Sequence, residues 1–296
     1  MNKPLSLLLL ACVLATAAPV RAQIVYIPET AHFVAPKVPQ YIDFAGQTYR
    51  FDRPDLYERM DRELITFTYG HTNSMLMLRR AERMFRQVVP ILQKNGIPED
   101  LKYLMAIECN LDPKALSSAG AAGPWQFLKT TGQQYGLEVG TEVDERYNIE
   151  KSTEAACKYL KEAYAKFGDW MTVAASYNAG QNGISQRVSS QRQKKAMDLF
   201  LPAETSRYMF RILTAKYFFE HPEEFGFTFD PATDSYPYIS PKEVVEVSGP
   251  IPNLTDFAEA HGSTYFFVKE ANLWLRSDKL TNKAAKTYRI VIPAAE

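Results

Sequence analysis

Little in this chain could hold a metal or a polyanion. It has four histidines and three cysteines, and His32, His71, His221 and His261 are scattered, so no zinc-type Cys/His spacing occurs. Neither charge is in excess, with 34 basic and 34 acidic side chains. That removes the electrostatic footprint of a nucleic-acid-binding protein, and no nucleic acid is expected as a partner. Internal repeats and low-complexity tracts are absent, which excludes solenoids and compositionally biased tails. After Gln23 there is no apolar run long enough to span a bilayer.

What is present is ordinary globular material. A chain of 296 residues, 46% hydrophobic and 23% charged, is long enough for one medium domain and a smaller one. Aromatics reach 12%, which suits sugar-stacking surfaces and equally a plain aromatic core.

The opening reads as an export signal. Lys3 precedes an apolar run from Leu5 to Ala18, and Val20-Arg21-Ala22 has the small-residue form of a cleavage site. Residues 1–22 are therefore expected to be a signal peptide, and the mature protein to lie in the periplasm or cell envelope. Leu9-Leu10-Ala11-Cys12 has the look of a lipoprotein signal, but the residues after Cys12 stay apolar. Membrane attachment follows only if Cys12 is lipidated. The remaining cysteines are Cys109 and Cys157. Export permits a disulfide between them without requiring one, and the apolar helical setting of Cys157 points to a buried thiol.

The most informative stretch runs from Gly96 to Leu137. Pro98, Glu99 and Asp100 suit a first helical turn, and Leu101, Leu104, Met105 and Glu108 recur at helical spacing. Asp112-Pro113 is expected to stop that helix. Glu108 thus falls in the last turn, beside apolar residues. Burial and the negative end of the helix dipole both disfavour its ionised form, as a general acid requires. From position alone it could equally be an ordinary helix-end glutamate. A run of small residues follows, from Ser117 to Gly123, then Pro124-Trp125-Gln126-Phe127. Small residues allow close approach to the backbone, and Ser117 and Gln126 offer hydrogen bonds to hydroxyl or acetamido groups. A tight turn anchored by a core tryptophan would read the same way.

The pattern E-C-N-x-D-P-x-A-x-S-x-x-G-A-A-G-x-W-Q-F resembles the soluble-lytic-transglycosylase domain of glycoside hydrolase family 23. The resemblance implies that Glu108 is the catalytic acid, Ser117 the loop serine and Gln126 a glutamine lining the cleft. Cys109 departs from the serine usual after the glutamate. Tyr177-Asn178-Ala179-Gly180 matches the family's Tyr-Asn-Ala-Gly element, which implies that Tyr177 and Asn178 face the sugar. Glu204-Thr205-Ser206-Arg207-Tyr208 matches its Glu-Thr-x-x-Tyr element, placing Tyr208 near the acid. On spacing alone Tyr208 serves the core as readily as a site.

The flanking segments can be ordered around this stretch. Residues 23–52 carry prolines without clear periodicity and are expected as an extended arm on the surface. Residues 53–95 form a helical lead-in of two helices, the second starting at the good cap Asn73-Ser74. That lead-in resembles the membrane-bound lytic murein transglycosylase D group. Residues 96–222 are then the catalytic domain, with helices capped by Asn148 and Asp169 and closed by Gly168 and Gly180. Residues 223–241 shift toward Phe, Pro, Asp and Tyr and read as a linker. Residues 242–296 show strand, two short helices and strand, the order of a LysM module, although Ile251-Pro252-Asn253-Leu254 replaces the usual opening. Such a module is expected to fold separately.

The expected fold class is mainly α: a lysozyme-like helical catalytic domain with an N-terminal helical arm and a small βααβ LysM-like module. The implied function is peptidoglycan lytic transglycosylation with 1,6-anhydro-muramyl products, acting on glycan strands without a metal or cofactor. Two alternatives stay open: a hydrolase like goose-type lysozyme, which a second acidic residue in the cleft would favour, and a non-catalytic cell-wall glycan-binding protein.

Overall fold

The arm without periodicity contains a hairpin. The computed structural model describes residues 35–293; the expected signal peptide and Cys12 lie outside that range. β1 (Tyr41–Phe44) pairs antiparallel with β2 (Gln47–Arg50), Ile42 facing Tyr49 across the register. Ala45 and Gly46 make the turn at positive φ, and Ile42, Phe44, Tyr49 and Phe51 are buried in the main core. Four strand residues are too few to show a period against neighbouring turns, which is why the segment looks structureless in sequence.

The lead-in is two helices, α1 (Pro54–Tyr69) and α2 (His71–Lys94). α2 starts two residues before the expected Asn73-Ser74 cap. Its Ser74 is buried and donates to Phe67 O at 2.7 Å, so the hydroxyl ties α1 to α2 instead of capping. α3 (Lys102–Cys109) follows a short 3-10 turn. It ends before Asp112-Pro113, because Asn110 and Leu111 adopt φ of 49° and 54°, a left-handed region that a leucine enters at a cost. Leu111 is fully buried, so packing offsets that cost.

The rest of the helical body is α4 (Lys129–Gln134), α5 (Ile149–Phe167), α6 (Trp170–Ala179), α7 (Gln181–Gln191) and α8 (Ala203–Glu220). The expected caps are formed: Asn148 accepts from Lys151 N, Asp169 accepts from Thr172 N, and Gly168 ends α5 at φ 66°. α8 is central, packing against α1, α3 and α6. Its Arg207 meets the buried carboxylate of Glu63 on α1 through two bonds of 2.6 and 3.2 Å. That pair fixes the rotation of α8 and hence the direction of its neighbour Tyr208.

Residues 223–241 are not a free linker. Phe225 and Phe227 are buried in the main core, α9 (Pro231–Asp234) is bound through Arg79 to Asp234 O, and Tyr236 N donates to Arg79 O at 2.7 Å. The guanidinium groups of Arg83 and Arg86 cover the rings of Tyr236 and Tyr238. Aromatic side chains here are anchors on α2, which a lack of helical period does not reveal.

The tail has the expected order: β3 (Pro241–Val247), α10 (Leu254–Ala260), α11 (Tyr265–Ala271) and β4 (Tyr288–Pro293), with β3 and β4 antiparallel. It does not stand apart. Its core of Ile251, Leu254, Val268, Trp274, Leu275 and Tyr288 also contains Ala122, Val143 and Tyr147. Phe266 on α11 is 64% exposed and takes no place in that core. Among the described residues, no helix is long and apolar enough to cross a membrane.

Candidate active site

α3 delivers Glu108 as its penultimate residue, one turn of apolar side chains having preceded it. The side chain is half-buried, on a helix whose Tyr103, Leu104, Met105 and Ile107 are buried in the core. Burial drives its carboxyl pKa upward, opposed by a hydrogen bond from Tyr208 and the charge of Arg211, and reinforced by the charge of Glu204. Desolvation is the largest of these effects, so the carboxyl pKa lies above that of an exposed glutamate. Cys109 takes the place of the usual serine by donating back to Met105 O at 3.3 Å. Both Cys109 and Cys157 are buried free thiols pushed up to about 12 by burial, which makes them inert packing residues.

Tyr208 reaches Glu108 directly. Its hydroxyl donates to Glu108 Oε1 at 2.5 Å. Burial and the nearby Glu108 charge hold the Tyr208 and Tyr177 hydroxyls far above the ordinary tyrosine range, so both remain donors. Tyr177 donates to Trp125 O at 2.6 Å, and its ring meets Tyr159 edge-on with centroids 5.0 Å apart. It therefore joins the end of α6 to the residue before Gln126. Asn178 Oδ1 accepts from Thr205 Oγ1 at 2.8 Å, tying the same end of α6 to the first turn of α8.

The small-residue loop holds itself. Ser117 Oγ accepts from Ala121 N at 3.0 Å, and Ser117 N donates to Ala121 O at 2.8 Å. Gln126, at φ 48°, donates its amide to Ala115 O and Gly123 O at 3.2 and 2.8 Å. Among the described residues its Oε1 accepts no hydrogen bond, which leaves a half-buried acceptor facing no partner there. Trp125 is fully buried and donates to Thr153 of α5 at 3.0 Å, so the loop is pinned to the helical body beside Gln126.

Glu108, Tyr177 and Tyr208 thus form one electrostatic group, with Gln126 and Asn178 one bond removed. Ser117 bonds within its loop and not to Glu108. Asp112 has a turn role: its Oδ1 accepts from Lys114 N at 2.9 Å, and Arg80 lies 3.8 Å from its other oxygen. Two charged residues acting on Glu108, Glu204 and Arg211, were not foreseen. They lie four before and three after Tyr208, on one face of α8, so that spacing was the available signal. Among the described residues, no group of three or more His, Cys, Asp or Glu side chains is placed to hold a metal ion.

The chain is 28% identical over 199 residues to the membrane-bound lytic murein transglycosylase D of Escherichia coli K12, and equally so to the one from Escherichia coli O6:H1. The shared region covers 64% of this chain but 43% of either relative. Residues 90–200 match the transglycosylase SLT domain, and 243–296 match the soluble lytic transglycosylase C-terminal LysM-like domain. The chain therefore carries an SLT domain built on a lysozyme-like helical body, followed by a LysM-like C-terminal domain, with homology to lytic murein transglycosylase D.

Proposed function

We propose that this chain is a peptidoglycan lytic transglycosylase of the cell envelope, with residues 96–222 as its catalytic domain, 53–95 as a helical lead-in and the LysM-like domain contributing to glycan binding. The observation that carries the reading is a single carboxyl, Glu108, contacted by the Tyr208 hydroxyl, its pKa raised by burial. Protonated Glu108 gives its proton to the oxygen joining N-acetylmuramic acid to N-acetylglucosamine, and the bond from C1 to that oxygen breaks. The substrate's acetamido group or polar cleft groups stabilise the cationic centre at C1. Glu108, now ionised, takes the proton of the C6 hydroxyl as that oxygen closes onto C1. The nucleophile is intramolecular, so its effective concentration is high and no second carboxylate is needed to activate water. Gln126 Oε1 and the amide of Asn178 are the groups we assign to the sugar substituents.

A second reading rests on Glu204. Its charge acts on Glu108 and it is exposed, so it could serve a water-activating role in a lysozyme-like hydrolase. Digestion of purified peptidoglycan, followed by borohydride reduction and mass spectrometry, separates the two. Anhydro-muramyl ends that resist reduction are expected. Reducible ends that vanish in Glu204→Gln would establish hydrolysis instead.

A further inference from the structure

The segment from Glu142 to Tyr147 lies between the small-residue loop and the tail. On the tail side, Asp144 N donates to Trp274 O and Arg276 N to Glu142 O, both at 2.8 Å. Thr281 N and Oγ1 both donate to Glu142 Oε2, and the Arg276 guanidinium lies 4.3 Å from the centre of the Tyr147 ring. Val143 and Tyr147 are buried in the tail's own core.

On the loop side one side chain makes every polar link. Arg146 Nη1 donates to Gly120 O at 2.8 Å and to Phe127 O at 3.0 Å. Phe127 O also accepts from Ala122 N, so a single guanidinium nitrogen closes the Gly120–Phe127 turn across its mouth. The other edge of the guanidinium grips Asp144, Nε to Oδ1 at 2.9 Å and Nη2 to Oδ2 at 2.7 Å. Arg146 and Asp144 are both buried. A planar fork with its donors in fixed directions can bridge a carboxylate and two carbonyls at once, which an ammonium cannot.

We infer that Arg146 is a positioning residue through which the docked LysM-like tail sets the conformation of the active-site loop that carries Gln126. The tail holds Asp144, Asp144 aims Arg146, and Arg146 fixes the turn whose last residues are Trp125, Gln126 and Phe127. In this chain the tail is therefore part of the catalytic framework, beyond any affinity it adds for glycan. The inference rests on the assignment of Gln126 to the substrate cleft.

The test uses the full chain with Arg146→Lys, which keeps the buried positive charge beside Asp144 but loses the fork. Tyr288→Phe is the control, removing a tail contact to Glu138 that does not touch the loop. Two readouts are taken: amide hydrogen exchange over residues 115–127, and kcat and KM on peptidoglycan. Arg146→Lys should speed exchange of the Ala121, Ala122 and Gly123 amides at least about ten-fold and lower kcat/KM by about ten- to a hundred-fold, as small misplacements in a site do. The amides of α5 should keep their protection, and Tyr288→Phe should change neither readout. Unchanged loop exchange in a folded Arg146→Lys protein overturns the inference, as does equal loosening by Tyr288→Phe. If wild-type protein cleaves no peptidoglycan, the functional assignment fails, whereas the exchange result still decides whether Arg146 orders the loop.

Discussion

Tyr208 donates its hydroxyl to Glu108 Oε1 at 2.5 Å although 100 residues separate them. A donor to this oxygen favours the ionised carboxylate, whereas burial favours the protonated one, and burial prevails. The site is thus poised by two opposed effects on one group.

The pH profile follows from that balance. In the proposed mechanism the reaction needs protonated Glu108, so kcat/KM should fall as pH rises through its elevated pKa. Tyr208→Phe deletes an interaction that lowers this pKa. The falling limb of the profile should therefore move to higher pH, while the plateau rate drops about ten-fold, as for a lost hydrogen bond to a charged group. A limb that stays in place would assign it to another residue.

Glu108→Gln should lower turnover by about 10²- to 10⁴-fold, the usual contribution of a general acid, without lowering stability at neutral pH. The sign follows from the raised folded-state pKa. Protonated Glu108 is tolerated below the unfolded-state value, and its stabilising contribution is lost as pH rises through the folded-state value. Melting temperatures of both proteins across pH should converge or favour wild type in acid, and favour the variant as pH rises.

Gly123 and Gly120 should respond very differently to alanine. A Cβ on Gly123 would lie 1.8 Å from Arg146 O, at φ 75°, and neither backbone segment can give way. Denaturant titration of Gly123→Ala should show a loss of about 3 kcal/mol or more, in the range of severe core strain. Gly120 has φ 80° with nothing within 4 Å of a built Cβ, so Gly120→Ala should cost only about 1–2 kcal/mol.

Truncation before Pro241 should not liberate an intact catalytic domain. It uncovers Ala122, Val143 and Tyr147 and removes the partners of Glu142 and Asp144. A loss of a few kcal/mol would lower the melting temperature by roughly 5–10 °C, and activity should decline on short soluble glycans as well as on whole cell wall. Full activity on soluble glycans with an unchanged melting temperature would make the tail a mere tether.

The parts that could be read from the sequence alone are those decided within a few residues. Asn148, Asp169 and Asn253 sit where their side chains reach amides two or three positions on, and the periodicity of α5 declares its buried stripe. Glu108 lands in the last turn of α3 for the same local reason. The motifs from Glu108 to Gly180 fall within residues 90–200, which match the SLT domain. Tertiary structure alone decided which of these residues meet. The Tyr208–Glu108 bond depends on the rotation of α8, which the Arg207–Glu63 pair holds across 144 residues. The packing of the hairpin, the aromatic anchors at Tyr236 and Tyr238, and the docking of the tail on Ala122, Val143 and Tyr147 rest on apolar, ring and hydrogen-bonded contacts between segments distant in sequence. Contacts of that kind leave no fixed spacing along the chain, and their apolar part is non-directional, whereas a cap or a helical face repeats at a set interval.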